Sequence, residues 1–287
     1  MKPASFDYFA PASLDEALGL LAHHDGEAAV LAGGQSLVPA MNFRLATPAA
    51  LVDINRIAGH DGVRAEGSEV TIDMLARHAD VERCAVDDPL ARLLARTARF
   101  VGHLPIRVRG TFAGSLAHAD PAAEWCLLAV ALDASIVATS TRGERRIRAG
   151  EFFEGPFTTA LALDEIITVV HLPLLGRAGA GVCEKSHTAG DFATVAAVAT
   201  LRLDGDEVAE ARLAVGGAEG RPLRVHEAEA ALRGAPPEPA ALDAAARTVA
   251  EVIDPVSDAT CSGDYRRHLA EVLARRALEE AAQEARA

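Results

Sequence analysis

Two adjacent glycines at the end of a short apolar run constrain this chain most. Ala28-Ala29-Val30-Leu31 leads into Ala32-Gly33-Gly34-Gln35-Ser36-Leu37. The apolar run reads as a buried strand. The glycines after it leave a row of backbone N–H groups with no side chains over them, a concavity that suits an anion such as a phosphate. Near the middle of the chain, Arg109-Gly110-Thr111-Phe112-Ala113-Gly114-Ser115 repeats the theme with small residues and hydroxyls. One Gly-Gly pair is most often an ordinary turn. Two such loops can clamp one pyrophosphate between them.

Composition narrows the classes. Half of the 287 residues are apolar, enough for a substantial core in one large domain or two ordinary ones. The net charge of −13 argues against nucleic acid or an anionic membrane as the main partner. No apolar run reaches the ~18 residues of a spanning helix. The stretch Met1 to Asp7 lacks the apolar centre of a signal peptide, so a cytoplasmic location is expected. Cys84, Cys126, Cys183 and Cys261 stand far apart. Without closely spaced thiols, neither an iron–sulfur cluster nor structural zinc is expected in this chain. Each cysteine reads as a small buried hydrophobe.

Ser13-Leu14-Asp15-Glu16 reads as a capping box opening a helix with Leu14, Leu18 and Leu21 on one face. Leu51–Ile54 reads as a second buried strand, and Glu69–Leu75 alternates like a half-buried one. A helix is expected over Leu90–Val101, capped by Gly102, and another over Ala122–Leu132, opened by Pro121. Strands are expected at Ser135–Ser140 and Ile166–Leu172, the latter stopped by Pro173. The glycine-rich stretch 176–181 marks a domain boundary. Beyond it, Gly181–Ser186, Ala193–Leu203 and Val208–Val215 read as three strands. Helices follow over Val225–Leu232, Pro239–Ile253 and Ser262–Ala285, the last a solvated amphipathic element.

The chain lacks a G-x-S-x-G elbow, an H-E-x-x-H pair, a Walker loop and a G-x-G-x-x-G fingerprint. No nucleophile stands beside a base, so no catalytic residue and no metal ligand is assigned. Binding chemistry for a polyphosphate, without side-chain machinery for breaking bonds, fits a protein whose bound cofactor carries the reaction.

Five stretches in register resemble one family. They are Ala32–Pro39 with Phe43-Arg44-Leu45 and Leu51–Ile54, Arg109-Gly110-Thr111, Ala119-Asp120-Pro121, Gly190-Asp191-Phe192-Ala193, and Ser262-Gly263-Asp264-Tyr265-Arg266-Arg267. In this order they resemble the FAD-binding medium subunits of molybdenum hydroxylases, the carbon monoxide dehydrogenase, quinoline oxidoreductase and xanthine dehydrogenase relatives. The resemblance implies an α+β fold. A flavin domain of the vanillyl-alcohol-oxidase (PCMH) type would span residues 1–177, in two α+β subdomains of about 1–57 and 58–177. A small domain of a three-stranded antiparallel sheet and a helical bundle would span 178–287, like the carbon monoxide dehydrogenase flavoprotein C-terminal domain.

The resemblance also implies a site. Leu31, Ala32, Gly33, Gly34, Gln35, Ser36 and Leu37, with Gly110, Thr111, Phe112, Ala113, Gly114 and Ser115, would hold the FAD pyrophosphate through N–H and hydroxyl groups. Ala119, Asp120 and Glu124 would lie toward the ribose or adenosine side. Val101 with Gly102, and Ile167, would flank the isoalloxazine. Lys185 would hydrogen-bond the flavin carbonyl region, and Asp191 and Phe192 would lie near the ring's edge. The implied partners are a large subunit carrying molybdopterin cytosine dinucleotide and a small subunit with two [2Fe–2S] clusters, in a dimer of heterotrimers. Electrons would pass from those clusters through FAD to an external acceptor.

Two departures stand out. The second loop of the family usually reads Thr-(Ile/Leu)-Gly-Gly, and Ala113 replaces its first glycine here. If that position needs a positive φ, alanine costs on the order of 1 kcal/mol and weakens FAD binding. The arginine that often precedes Gly190-Asp191 is absent, where this chain has His187-Thr188-Ala189. A stand-alone FAD oxidase or reductase would need an aromatic substrate cage and an acid/base pair, for which one Trp and two Tyr give little support. A non-catalytic scaffold that has lost FAD would find support only in Ala113.

Overall fold

The computed structural model describes residues 2–287, which form three larger sheets and one two-stranded sheet with their helices. The first unit runs β1 (Asp7–Phe9), α1 (Leu14–His24), β2 (Ala28–Leu31), α2 (Leu37–Asn42) and β3 (Ala50–Asp53). Its strands are parallel, in the order β1-β3-β2. Ser13 caps α1 by accepting from the Glu16 N–H. The return half of the expected capping box is shifted by one residue, since Glu16 accepts from Ala12 N–H. β2 is half-buried along its length, not buried as its composition suggests. It is an edge strand, so only part of its surface is covered.

The second unit contains β4 (Val63–Glu66), β5 (Glu69–Asp73), α3 (His78–Glu82), α4 (Pro89–Ala98), α5 (Leu104–Arg107), α6 (Phe112–His118) and α7 (Glu124–Ala131). It continues with β6 (Ser135–Ser140), β7 (Gly143–Arg148), α8 (Ala149–Phe152), the small hairpin β8 (Phe153–Gly155) and β9 (Thr158–Thr159), and β10 (Ile166–Pro173). The antiparallel sheet has the order β4-β5-β10-β6-β7. β5 is buried on both faces from Val70 to Asp73, against the half-buried expectation, because it lies inside the sheet and its Asp73 is ion-paired to Arg64. Pro173 does not stop β10 but pairs with Glu69 in its last position.

Asp88 caps α4, which ends at Ala98. The residues up to Val101 continue in i→i+3 turns, and Gly102 takes φ +50° in the loop beyond rather than capping the helix. α7 is buried all round and begins at Glu124, later than Pro121 suggests. Asp120 turns the chain first, accepting from Ala122 N–H at 2.9 Å.

The third unit holds β11 (Gly179–Ser186), β12 (Ala193–Asp204), β13 (Glu207–Gly216) and the two-residue β14 (Leu223–Arg224), a fourth strand beside the three expected. Then come α9 (His226–Leu232), α10 (Pro239–Val252) and α11 (Gly263–Ala285). α11 is not a solvated outer helix. Ala270, Leu273, Ala274, Ala277, Leu278, Ala281 and Ala282 are buried in the core beneath the sheet. Gly179 and Gly181 let β11 press onto it, since a Cβ at either glycine would strike the α11 backbone at Ala281 or Ala277. The opposite sheet face, with Ala180, Val182, Ala196, Val198 and Ala214, joins the core that holds Leu93, Phe112, Trp125 and Leu128. Packing is therefore continuous from the second unit into the third. Cys126 and Cys261 are buried, whereas Cys84 and Cys183 are only half-buried, Cys183 against Glu280.

Candidate functional site

The two glycine loops meet. Loop one leaves β2 and turns at Gly34, whose φ of +69° disfavours any side chain. The Gly34 carbonyl accepts from Val38 N–H at 3.1 Å as α2 begins. Gln35 turns back to donate from Nε2 to the Gly33 carbonyl at 3.1 Å. The N–H groups of Gly33, Gly34, Gln35 and Ser36 find no acceptor among the described residues.

Loop two is the start of a helix. Thr111 caps α6, its hydroxyl accepting from Gly114 N–H at 3.1 Å. That hydroxyl accepts within the chain and keeps its own O–H to donate, so loop two offers a ligand this hydroxyl and its free N–H groups. Those of Thr111 and Ala113 have no acceptor among the described residues. Ala113 sits inside α6 without a positive φ, so the penalty expected for alanine there does not arise. The constrained glycines are its neighbours. A Cβ on Gly114 would come within 2.6 Å of Thr111 Oγ1, and one on Gly33 would meet the Gly110 Cα at 2.6 Å.

A side-chain brace that sequence reasoning did not find holds the loops together. Asn55 Nδ2 donates to the Ala32 carbonyl at 2.8 Å, and its Oδ1 accepts from Arg77 Nη2 at 2.7 Å. Arg77 Nη1 reaches the Arg109 carbonyl at 2.5 Å. Behind loop two, His78 N–H donates to the Gly110 carbonyl at 3.0 Å. The His78 ring is 5% exposed, accepts at Nδ1 from Trp125 Nε1–H at 2.9 Å, and is held neutral by burial, its pKa pushed down to about 4. Nothing local in the sequence marks Asn55, Arg77 or His78, because each acts on a loop more than twenty residues away.

The other expected site residues fall in separate places. Leu31, Ala32 and Leu37 line loop one, half-buried. Phe112 is buried beneath loop two against Trp125, while Ser115 is half-buried one turn into α6. Ala119 ends α6 in the left-handed region at φ +51°. Glu124, at the start of α7, is 7% exposed, and burial pushes its pKa up to about 7, with Asp120 adding to the shift. Val101 and Gly102 both offer carbonyls to Arg107 Nη1. Gly190 packs on His103 beside them: with φ +81°, a Cβ there would lie 2.5 Å from the His103 ring. Asp191 accepts from Phe192 N–H, and Phe192 is 57% exposed.

Two further expected site residues lie on strands, Ile167 in β10 and Lys185 in β11. Ile167 is buried in the main core, paired in the sheet with Ala138. Lys185 is exposed and shares its strand face with Cys183, the face that carries α11. Strand alternation puts Glu184, not Lys185, on the face of Ala180 and Val182.

This geometry fits a dinucleotide pyrophosphate: two rows of unpaired N–H groups meet over a bare glycine contact that no side chain can enter. The comparisons agree. A family profile described as the FAD binding domain in molybdopterin dehydrogenase matches residues 4–175, and one described as the CO dehydrogenase flavoprotein C-terminal domain matches residues 184–281. The chain belongs to the FAD-binding medium subunits of the molybdenum hydroxylases. Among this family, the nicotine 6-hydroxylase medium subunit of Paenarthrobacter nicotinovorans is 36% identical over 98% of this chain and 99% of its own length. Carbon monoxide dehydrogenase from Hydrogenophaga pseudoflava contains a subunit that superposes with a TM-score of 0.95 at 33% identity, covering 99% of both chains. Quinoline 2-oxidoreductase from Pseudomonas putida 86 gives a TM-score of 0.93 at 33% identity over 99% of both. The medium-subunit fold expected from the sequence is therefore established.

Proposed function

We propose that this chain binds FAD and serves as the electron-transfer subunit of a heteromeric molybdenum hydroxylase. The observation that carries the reading is the meeting of the two N–H rows at the Gly33–Gly110 contact. FAD supplies a carrier that takes electrons singly or in pairs, which suits relay between one-electron clusters and a two-electron acceptor.

The chain's own residues bind and orient that cofactor. Loop one and the start of α6 hold the pyrophosphate, and the Asn55–Arg77 brace keeps them at one spacing. Ala119, Asp120 and Glu124 lie along the sugar portion. Val101, Gly102, Asp191 and Phe192 border the ring. The flavin domain spans 1–177, with subdomains of about 1–57 and 58–177, and the C-terminal domain spans 178–287. Among the described residues, no helix is long and apolar enough to cross a membrane. A cytoplasmic complex with a large molybdopterin cytosine dinucleotide subunit and a small subunit with two [2Fe–2S] clusters, assembled as a dimer of heterotrimers, accounts for the relatives' medium-subunit names. The organic substrate is oxidised in the large subunit, and no residue of this chain touches it.

An absorption spectrum of the purified chain tests the reading. Oxidised-flavin bands, with FAD released on heating, are expected. A colourless chain that takes up no added FAD, alone or with its partner subunits, overturns it. Copurification with both partners tests the assembly.

A further inference from the structure

The stretch Ser262-Gly263-Asp264-Tyr265-Arg266-Arg267 opens α11 and ties several segments of the chain together. Ser262 caps the helix by accepting from Tyr265 N–H at 3.2 Å. Arg267 Nη1 closes the end of α10, donating to the Ala250 and Ile253 carbonyls at 2.6 and 2.5 Å. Arg266 reaches the other way. It is 7% exposed, and its guanidinium sits at the end of the β12–β13 ladder, whose last pair is Ala196 with Gly216. Where the strands part, Nη1 donates to the Thr194 carbonyl at 2.7 Å and to the Gly217 carbonyl at 2.6 Å. Nη2 donates to Asp258 Oδ2.

A buried guanidinium is costly unless its donors are met, and this one meets two backbone carbonyls and a carboxylate at once. The Thr260 hydroxyl and N–H, with the Cys261 N–H, hold the Asp258 carboxyl at a pKa of about 2, so it stays ionised opposite the guanidinium. Lysine has no planar fork to serve these acceptors together. The two carbonyls belong to segments that flank the candidate site. Thr194 stands two residues past Phe192, at the end of the turn 187–192. The hydrogen bonds of that turn are local: Asp191 N–H to the Thr188 carbonyl at 3.1 Å, and Phe192 N–H to the Asp191 carboxylate at 2.9 Å. Gly217, with φ +76°, lies so close that a Cβ there would come within 2.9 Å of the Thr194 carbonyl oxygen. Its N–H donates to the Pro121 carbonyl at 2.9 Å, one residue past Asp120. Arg266 thus links the turn that carries Phe192 to the turn that carries Asp120. Among the described residues it makes no hydrogen bond to either pyrophosphate loop.

We propose that Arg266 is a positioning residue, which holds Phe192 at the edge of the flavin ring in fixed relation to the Asp120 turn. The proposal rests on the FAD reading, under which Phe192 borders the ring and Asp120 the sugar. Phe192 is 57% exposed, so its place is set by the backbone beneath it rather than by packing. Site residues keep their geometry through such supporting contacts. Loss of the fork frees the turn without touching the loops that hold the pyrophosphate. Shielding of the ring and affinity for FAD are therefore separable.

The test compares the full-length wild type with Arg266→Lys, Asp258→Asn, Phe192→Ala and the Arg266→Lys/Phe192→Ala double variant. FAD affinity, quenching of the bound flavin's fluorescence by potassium iodide at constant ionic strength, and its visible circular dichroism are measured. Arg266→Lys is expected to keep the FAD affinity, to raise iodide quenching severalfold and to weaken the dichroism. Asp258→Asn, at a half-exposed carboxylate, is expected to shift both the same way by less, and it decides the matter if Arg266→Lys does not fold. Phe192→Ala is expected to raise quenching as Arg266→Lys does, and the double variant no further, because residues acting through one contact are not additive. A lower melting temperature with wild-type quenching and dichroism in Arg266→Lys would make the arginine merely structural. That result, unchanged quenching in Phe192→Ala, or additive effects in the double variant overturns the proposal and leaves the flavin reading standing. If the wild type binds no FAD, the flavin reading fails and the proposal with it.

Discussion

Gly33 and Gly110 lie backbone against backbone, so close that a methyl group on Gly33 would sit 2.6 Å from the Gly110 Cα. Both are buried, and each belongs to a loop with free N–H groups, Gly33 to Ser36 in loop one and Thr111 and Ala113 in loop two. The spacing of the two anion-binding rows is thus set by the absence of two side chains.

Gly33→Ala is therefore expected to force the loops apart. Overpacking against backbone costs roughly 1–3 kcal/mol, because backbone cannot swing aside as a side chain can. FAD affinity should fall at least tenfold, and the melting temperature by several degrees. Titration with FAD and a thermal melt of the apo chain check both. Unchanged FAD affinity in this variant would detach the glycine contact from cofactor binding.

Ala113→Gly makes the opposite point. The family's glycine at this position suggests that restoring it improves FAD binding. The structure places Ala113 in α6 with ordinary helical geometry and 4% exposure. Glycine there gains no conformation it needs and loses helix propensity, about 1 kcal/mol. The expected outcome is a small loss of stability by urea denaturation with no gain in FAD affinity. A clear gain would mean that the helix start at Thr111 rearranges when the ligand binds.

The His78–Trp125 pair predicts an acid-side stability loss. The folded-state pKa of His78 lies at about 4, below its ordinary value of 6.5, because the buried ring disfavours the charge. A depressed folded pKa means that the unfolded chain binds more protons between those values. Its contribution is fully present above pH 6.5 and is lost as pH falls toward 4. Trp125→Phe removes the donor to Nδ1 and leaves a buried acceptor unpaired, at a cost of about 1–3 kcal/mol. Urea melts at pH 7 and pH 5 are expected to show both the loss in the variant and the fall with pH in the wild type. Stability that rises on acidification over this range would contradict a neutral buried His78.

Much of the fold is legible wherever the pattern is local. β2 and β6 fall at the residues their apolar runs mark, and the helices after 225 begin and end within one residue of their proline and serine signals. What the sequence hides is set by distant partners. β5 looks half-buried in isolation and is buried because β4 and β10 enclose it. α11 looks solvated by its Glu and Arg content, yet Gly179 and Gly181, some hundred residues earlier, make room for it in the core. The site divides in the same way. Glycines of both loops announce themselves, whereas Asn55 and Arg77 gain their roles only from what the fold sets beside them.

Gly181→Ala tests that reversal for α11. The new methyl group would strike the backbone at Ala277 in the middle of the helix, with no side chain to give way. Relief requires β11 to lift from α11, exposing Ala274, Ala277 and Ala281, which are fully buried. A loss of about 2 kcal/mol or more is expected, at the upper end of overpacking effects. Because β11 also packs on α4, where Arg96 donates to the Ala180 carbonyl, the loosening reaches the first half of the chain. Hydrogen exchange should show faster exchange in α11 and β11 first, with loop one unchanged. If α11 were a solvated outer helix, the variant would melt with the wild type and exchange would rise nowhere else.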